Sequence, residues 1–369
     1  MPTQTKNDNR MSWIRHLKLV KKTRKKFQYY QDYELVSESR ITGVLNYRDK
    51  AIYCSMLTSE KDRNGLYRYN LRIKSAYNDP ANPNPYPERN ASEDGYFFKE
   101  GHAEEIVSLL SLFFQSRFYI LSSSSVLPDG MSRHKFEKDF FYKPVESAIH
   151  PTIFSTKGRS FSVGLTEFLD KTIKLPMKFH QNFLWASFHY SQALRQVGMD
   201  TEMVFIKLVS AIEILTHHIE IDPKVDVFGN KKLSEMTDLS GLTEEQRKRA
   251  EKIFEVRNAG LKFKSFIEKY CTGFFKGGGS KAPHCKIRRS GLLKVLNTIY
   301  SARSAYLHSG ESMYLSMPMR MKEARKWDTD PSMGMIIDNR DFPASKKLPY
   351  AYFFESLVRH CLLSFLRKN

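Results

Sequence analysis

The sequence predicts an α+β protein, with a small β-rich N-terminal domain followed by an all-α C-terminal half. Two periodicities and the composition carry that prediction. Between residues 31 and 77, Ile41–Tyr47, Ala51–Leu57 and Leu66–Tyr77 are alternating, β-branched or aromatic, which is the strand signature. After about residue 166 the apolar spacing becomes three and four, as in Met203–Leu215 and Phe353–Leu366, the signature of helices. The 369 residues are 41% hydrophobic and 27% charged, enough for an ordinary globular core, so disorder is not the default. The resulting division is a basic arm or helix at 1–30, an α+β domain at 31–165 and a helical domain at 166–369.

The net charge is +19. Such a balance attracts polyanions, so nucleic acid is the first partner to consider and an anionic membrane surface the second. Cys54, Cys271, Cys285 and Cys361 are scattered, with no CxxC pair and no zinc-finger spacing, which points to reduced thiols in a cytoplasmic protein. The opening residues show no apolar signal core, and no segment is long and apolar enough for a bilayer, so no membrane partner is expected.

Taken in order, residues 1–30 gather Arg15, Lys18, Lys21, Lys22, Arg24, Lys25 and Lys26 around Trp13, Ile14, Leu17, Leu19 and Val20. This is either a basic helix lying on nucleic acid or a solvated charge run. In Leu66–Tyr77, tyrosines and apolar residues mix with Arg68, Arg72 and Lys74. A half-exposed strand with that outer face can stack on and neutralise RNA. Edge strands also use Lys and Arg against aggregation, and that reading has slightly more weight. Asn78–Asp94 is a Pro/Asn-rich loop, and His102–Phe114 an amphipathic helix. Phe118–Leu121 resumes strand character, broken by Ser122–Ser125, and Phe140–Tyr142 and Phe161–Val163 are further candidate strands. No catalytic constellation stands out in this half.

In the helical half, Leu184–Val197 has helical spacing. Met203–Leu215 is apolar nearly all round, as a central bundle helix would be, with Lys207, Ser210 and Glu213 forming one polar strip. Thr243 and Gln246 make a capping-box signature. The basic helix that follows is expected to stop at Gly260, with a second short helix at Leu261–Tyr270. Gly273–Arg289 is glycine-rich and basic but lacks P-loop spacing. Lys276, Lys281, Lys286, Arg288 and Arg289 are its candidate phosphate contacts. Met317–Lys347 is expected to be irregular. In Phe353–Leu366, Phe354, Leu357, Val358, Cys361 and Phe365 share one face.

Ser290–Glu311 reads as one helix with a stripe of Leu292, Leu296, Ile299 and Tyr306, stopped by Gly310. Arg303 falls on that stripe, where a guanidinium must be paired or line a pocket. His308 lies in the last turn, where the helix dipole favours an imidazolium. Histidine titrates near neutral pH, which suits a general acid or base.

Arg303-Ser-Ala-Tyr-Leu-His308 resembles the Arg-x4-His motif of the HEPN superfamily. Tyr300–Gly310, with its Arg-Ser pair and a small residue soon after the His, is similar to the ApeA-like branch. Ser-Ala-Ile-Glu-Ile-Leu around Glu213 resembles that branch's Ala-x-Glu-x-Leu segment, and the apolar terminal helix with Leu357-Val-Arg resembles its end. The resemblance covers roughly residues 180–369 and implies an all-α HEPN bundle. It implies a metal-independent endoribonuclease without cofactor, in which the ribose 2′-hydroxyl attacks the adjacent phosphate. Arg303 would hold the phosphate and His308 would move protons, supported by Glu213, Ser304 and Tyr306. The sequence agrees with metal independence: it has no HExxH, no closely spaced acidic cluster of the two-metal type and no cysteine cage.

Residues five apart on a helix lie about 140° apart around the axis and about 7.5 Å along it. Arg303 and His308 of one chain therefore converge poorly on one phosphate, which favours a homodimer with a composite site. The ApeA-like branch further implies antiphage defence or a toxin, acting on RNA such as tRNA and governed by an antitoxin or a phage-derived activator. Residues 31–165 would then recognise RNA or sense the invader. The competing reading is a non-catalytic HEPN dimer scaffold that binds RNA. There Glu213 is a buried carboxylate satisfied by an arginine, and Arg303 is the one at hand.

Overall fold

A computed structural model of the chain describes residues 12–76, 101–126, 132–137, 142–145, 159–217, 219, 243–276, 287–313 and 348–369. They form an antiparallel sheet in the N-terminal half and helices in the C-terminal region, the predicted α+β layout. The chain divides into two compact units, Met1–Val204 with Leu366–Asn369, and Phe205–Phe365.

The first unit contains helix α1 (Ser12–Lys22) and strands β1 (Gln28–Ser37), β2 (Val44–Tyr47), β3 (Ile52–Met56) and β4 (Tyr67–Ala76). Helix α2 (His102–Phe114), strands β5 (Tyr119–Val126) and β6 (Ser132–Glu137), and helices α3 (Leu165–Lys174) and α4 (Met177–Gln196) follow. The sheet order is β2-β3-β4-β1-β5-β6, with every neighbouring pair antiparallel.

The central strand, β1, is absent from the predicted set and starts inside the segment read as an arm. Its inward residues Gln31, Tyr33 and Leu35 alternate correctly but include an amide and a phenol, and the Tyr33 hydroxyl donates to Gln31 Oε1 at 3.1 Å. Strand β5 runs through Ser122–Ser125, where a break was expected. Pairing with β1 and β6 on its two sides supplies the backbone hydrogen bonds whatever the side chains are. Phe161 makes no strand; only a Thr42–Ser160 bridge forms beside it. The expected strand at Phe140–Tyr142 falls mostly outside the described residues.

Strand β4 is interior, so its basic residues do not protect an edge. Arg72 and Arg68 are instead matched across strands. Arg72 forks onto Asp32, Nε to Oδ1 at 2.6 Å and Nη2 to Oδ2 at 2.7 Å, and Arg68 meets Glu34 at 2.9 Å. Cross-strand pairs of this kind stabilise a sheet and consume the charge that an RNA face would need.

Trp13, Ile14, Leu17 and Val20 bury one side of α1, and the Trp13 backbone N–H donates to Glu105 Oε2 of α2 at 3.0 Å. Residues 12–22 are therefore a docked helix and not a free arm. An aromatic cluster of Tyr69, Phe114, Phe118 and Phe161 joins sheet and helix.

Helix α4 lies within this first unit. Its Arg195 reaches Glu104 at 2.7 Å and the Phe118 carbonyl at 3.0 Å, and Ser191 donates to Ser111 at 3.2 Å. Arg117 is fully buried (0% exposed). It donates from Nε to Glu38 at 2.6 Å and from Nη1 to the Val197 carbonyl at 3.1 Å.

The second unit holds most of helix α5 (Thr201–Thr216), then α6 (Glu244–Tyr270), α7 (Leu292–Ser309) and α8 (Ala351–Lys368) up to Phe365. The Thr243/Gln246 capping box forms as read: the Gln246 N–H donates to Thr243 Oγ1 at 3.3 Å and the Thr243 N–H to Gln246 Oε1 at 3.0 Å. Helix α6 runs straight through Gly260, where a stop was expected. Phe205 stacks on Phe354 with ring centroids 5.7 Å apart, and Phe263 and Phe266 add edge and tilted contacts to α8. The predicted inner face of α8 is buried. Among the described residues, no helix is long and apolar enough to cross a membrane.

Candidate active site on helix α7

Helix α7 is anchored at one end and open at the other. Leu292, Leu296 and Ile299 are its buried residues, whereas Ala302–Tyr306 are half-exposed and Leu307–Ser309 exposed. Gly310 ends the helix in the left-handed conformation, φ 66°, which glycine adopts without a Cβ penalty. Its N–H donates to the Tyr306 carbonyl at 3.1 Å, and that of Glu311 to Ala305 at 3.3 Å. The stop stands where the sequence put it, and His308 occupies the last turn, open to solvent.

Arg303, on the buried stripe, meets its counter-ion on α5. Its Nη2 donates to Glu213 Oε2 at 2.5 Å, with the two side chains 18% and 21% exposed. The other oxygen, Oε1, accepts the Tyr300 hydroxyl at 3.1 Å. The guanidinium lies over the Tyr300 ring at 5.8 Å, so tyrosine, arginine and carboxylate hold one another. Arg303 Nε is buried and makes no hydrogen bond, which leaves a donor unspent in this cluster.

Burial raises the Glu213 carboxyl above its ordinary value, opposed by Arg303 and by the Tyr300 hydroxyl. Burial, then the charge of Glu213, pushes the Tyr300 phenol up to about 12. Tyr300 therefore remains a donor at neutral pH. Its ring packs on Phe263 at 5.3 Å and lies against Gly260, where a Cβ would come within 2.9 Å of Cε1. This explains a glycine in the middle of α6: the helix leaves space for the ring.

The other sequence-predicted residues stand apart from this cluster. Ser304 and Tyr306 are half-exposed in the same turns, and neither shares a hydrogen bond with Glu213. Lys276 and Arg288 are exposed. Arg289 donates to Cys271 Sγ at 3.2 Å and to Glu268 at 3.4 Å. It lies fourteen residues before Arg303, about 20 Å away along the axis. Lys281 and Lys286 lie outside the described residues.

Tyr300 and Gly260 are the members that sequence reasoning missed. Tyr300 precedes Arg303 by three residues, a spacing that places both on one helix face and signals the contact. Nothing in one sequence marks Gly260 as its partner. Among the described residues, no three His, Cys, Asp or Glu side chains gather to hold a metal.

No family model, curated protein or solved structure matches this chain.

Proposed function

We propose that the chain is a metal-independent endoribonuclease of HEPN type, acting as an antiphage or toxin effector. The reading rests on the Arg-x4-His resemblance. The observation that carries it is the fixed guanidinium of Arg303, oriented by Glu213 and Tyr300, in the same open helix end as an exposed His308. Pre-orientation matters because a guanidinium already held in place loses little entropy when it takes a phosphate.

In the reaction, the ribose 2′-oxygen bonds to phosphorus as the bond from phosphorus to the 5′-oxygen breaks. A base accepts the 2′-hydroxyl proton and an acid returns one to the leaving 5′-oxygen, so a 2′,3′-cyclic phosphate and a 5′-hydroxyl form. His308 serves in one of these proton transfers. Arg303 stabilises the charge that grows on the phosphate oxygens. The 100° step per residue of a helix turns Arg303 and His308 to different sides, so the working cleft takes its groups from two copies of the chain.

A second reading has its own observation. Arg303 spends Nη2 on an internal partner and is largely enclosed, as in a scaffold whose arginine only neutralises Glu213. One experiment separates the two. Wild type, Arg303→Ala and His308→Ala are incubated with total RNA and a labelled tRNA pool in EDTA, and product ends are mapped. Cleavage by wild type alone with cyclic phosphate ends is expected. RNA that stays intact with wild type, while Arg303→Ala lowers the melting temperature by several degrees, supports the scaffold and refutes the enzyme.

A further inference from the structure

Five of the six residues from Lys21 to Lys26 are cations, and all five are exposed. A merely solvated run would need no anchoring, yet this one is tied down. Thr23, the uncharged member, is buried. The Gln28 side-chain amide donates to the Val20 carbonyl at 2.8 Å and to the Thr23 carbonyl at 2.6 Å, which joins the end of α1 to the start of β1. The Phe27 N–H donates to the Arg24 carbonyl at 2.9 Å, and Arg24 and Lys26 lie over the Phe27 ring at 5.1 and 5.2 Å.

We infer that the Lys21–Phe27 segment is a docking surface for the sugar–phosphate backbone of single-stranded RNA. Charge complementarity selects a polyanion, and the exposed Arg24 guanidinium, held over the Phe27 ring, offers a planar cation on which the unpaired bases of a single strand can stack. The constrained backbone presents the cations together, so little ordering is left to do on binding. A lipid surface fits less well. An interfacial helix inserts its apolar face among the acyl chains, and here Trp13, Ile14, Leu17 and Val20 are committed to the protein core. The surface lies within the first unit, and its binding does not depend on the cleavage reading.

The test uses the full chain carrying His308→Ala, so that any cleavage does not intrude, and a fluorescein-labelled oligouridylate followed by anisotropy. The triple substitution K21Q/K22Q/K25Q is expected to weaken binding about tenfold or more. It should also reduce the slope of log affinity against log salt by about 2, since each lost contact to a single strand removes about 0.7. A charge-matched control, K50Q/K61Q/K174Q, is expected to change affinity less than about threefold, as non-specific charge does. Unchanged affinity and slope in the triple variant, equal losses in the control, or no RNA binding by the parent would each overturn the inference. So would preferential capture of the parent by phosphatidylserine vesicles, abolished by the same triple substitution. Circular dichroism melts confirm that each variant keeps its fold.

Discussion

Gly260→Ala sets two opposed effects against each other at the candidate site. A glycine inside a helix is less stable than alanine by about 0.5–1 kcal/mol, so with open space nearby the substitution would stabilise α6. Space is absent: the new Cβ would lie 2.9 Å from Tyr300 Cε1, 3.0 Å from Cδ1 and 3.5 Å from Cζ. The ring cannot slide away freely, because Phe263 backs it at 5.3 Å and its hydroxyl is held by Glu213 at 3.1 Å. Overpacking of this kind costs about 1–3 kcal/mol, so a net loss of up to about 2 kcal/mol is expected once the helix gain is subtracted.

A double-mutant cycle with Tyr300→Ala isolates the clash. In the Tyr300→Ala background only the helix gain survives, and Gly260→Ala should then stabilise by about 0.5–1 kcal/mol. Urea unfolding followed by circular dichroism should therefore give a coupling of about 1–3 kcal/mol between the two positions. Effects of Gly260→Ala that agree within about 0.5 kcal/mol in the two backgrounds would refute the claim that the glycine exists to seat the ring. RNA cleavage should fall with Gly260→Ala if the displaced phenol releases Glu213 and Arg303.

Arg117→Ala should lower the melting temperature by about 10 °C, since stranding one partner of a buried pair costs about 3–5 kcal/mol. Replacing Glu38 and Arg117 together by apolar residues of similar size should recover much of that loss, as thermal denaturation of both variants would show. Burial raises the Glu213 carboxyl in the folded chain. Its contribution to stability is therefore full below its ordinary value of 4.5 and is lost as pH rises through the folded value. Glu213→Gln should flatten the melting temperature against pH between 4.5 and that folded value. The same sign holds for Tyr300, raised from 10.0 to about 12. Stability should fall between those two values, and Tyr300→Phe should fall less over the same range, read by melts in alkaline buffer.

Much of the helical half was legible because its signals are local. The Thr243/Gln246 box, the Gly310 stop and the inner face of Phe354, Leu357, Val358, Cys361 and Phe365 depend on neighbours within a few residues, and each stands as read. The pairing of Glu213 with Arg303 was expected only through the HEPN resemblance; the local cue was that Arg303, on an apolar stripe, needs a partner. Gly260 misled because a glycine late in a basic helix is an ordinary stop signal, whereas here a tyrosine on another helix determines its use. In the sheet, the same limit hid β1 and shortened β5. Polar inward residues such as Gln31, Ser123 and Ser125 are acceptable in a strand flanked on both sides, and the flanking is not visible along the chain. The basic face of β4 fitted edge protection or a nucleic-acid surface, and the partners that Arg72 and Arg68 find in Asp32 and Glu34 are not visible along the chain.

The strand order also has a consequence for synthesis. The strand that leaves the ribosome first, β1, lies in the middle of the sheet and takes β4 and β5 as neighbours. Tyr30 pairs with Lys74 on one side and with Val126 on the other. At about 5–20 residues per second, the second of these partners arrives roughly 5–20 s after β1 itself. Throughout that interval a ten-residue strand has an unsatisfied edge, a template for pairing with other nascent chains. Until β4 emerges, about 40 residues and roughly 2–8 s after β1, Asp32 and Glu34, which then neutralise Arg72 and Arg68, stand alone on one face of β1, and their charge opposes such pairing. The ion pairs that close the mature sheet thus begin as separate charges that keep its first strand apart from its copies.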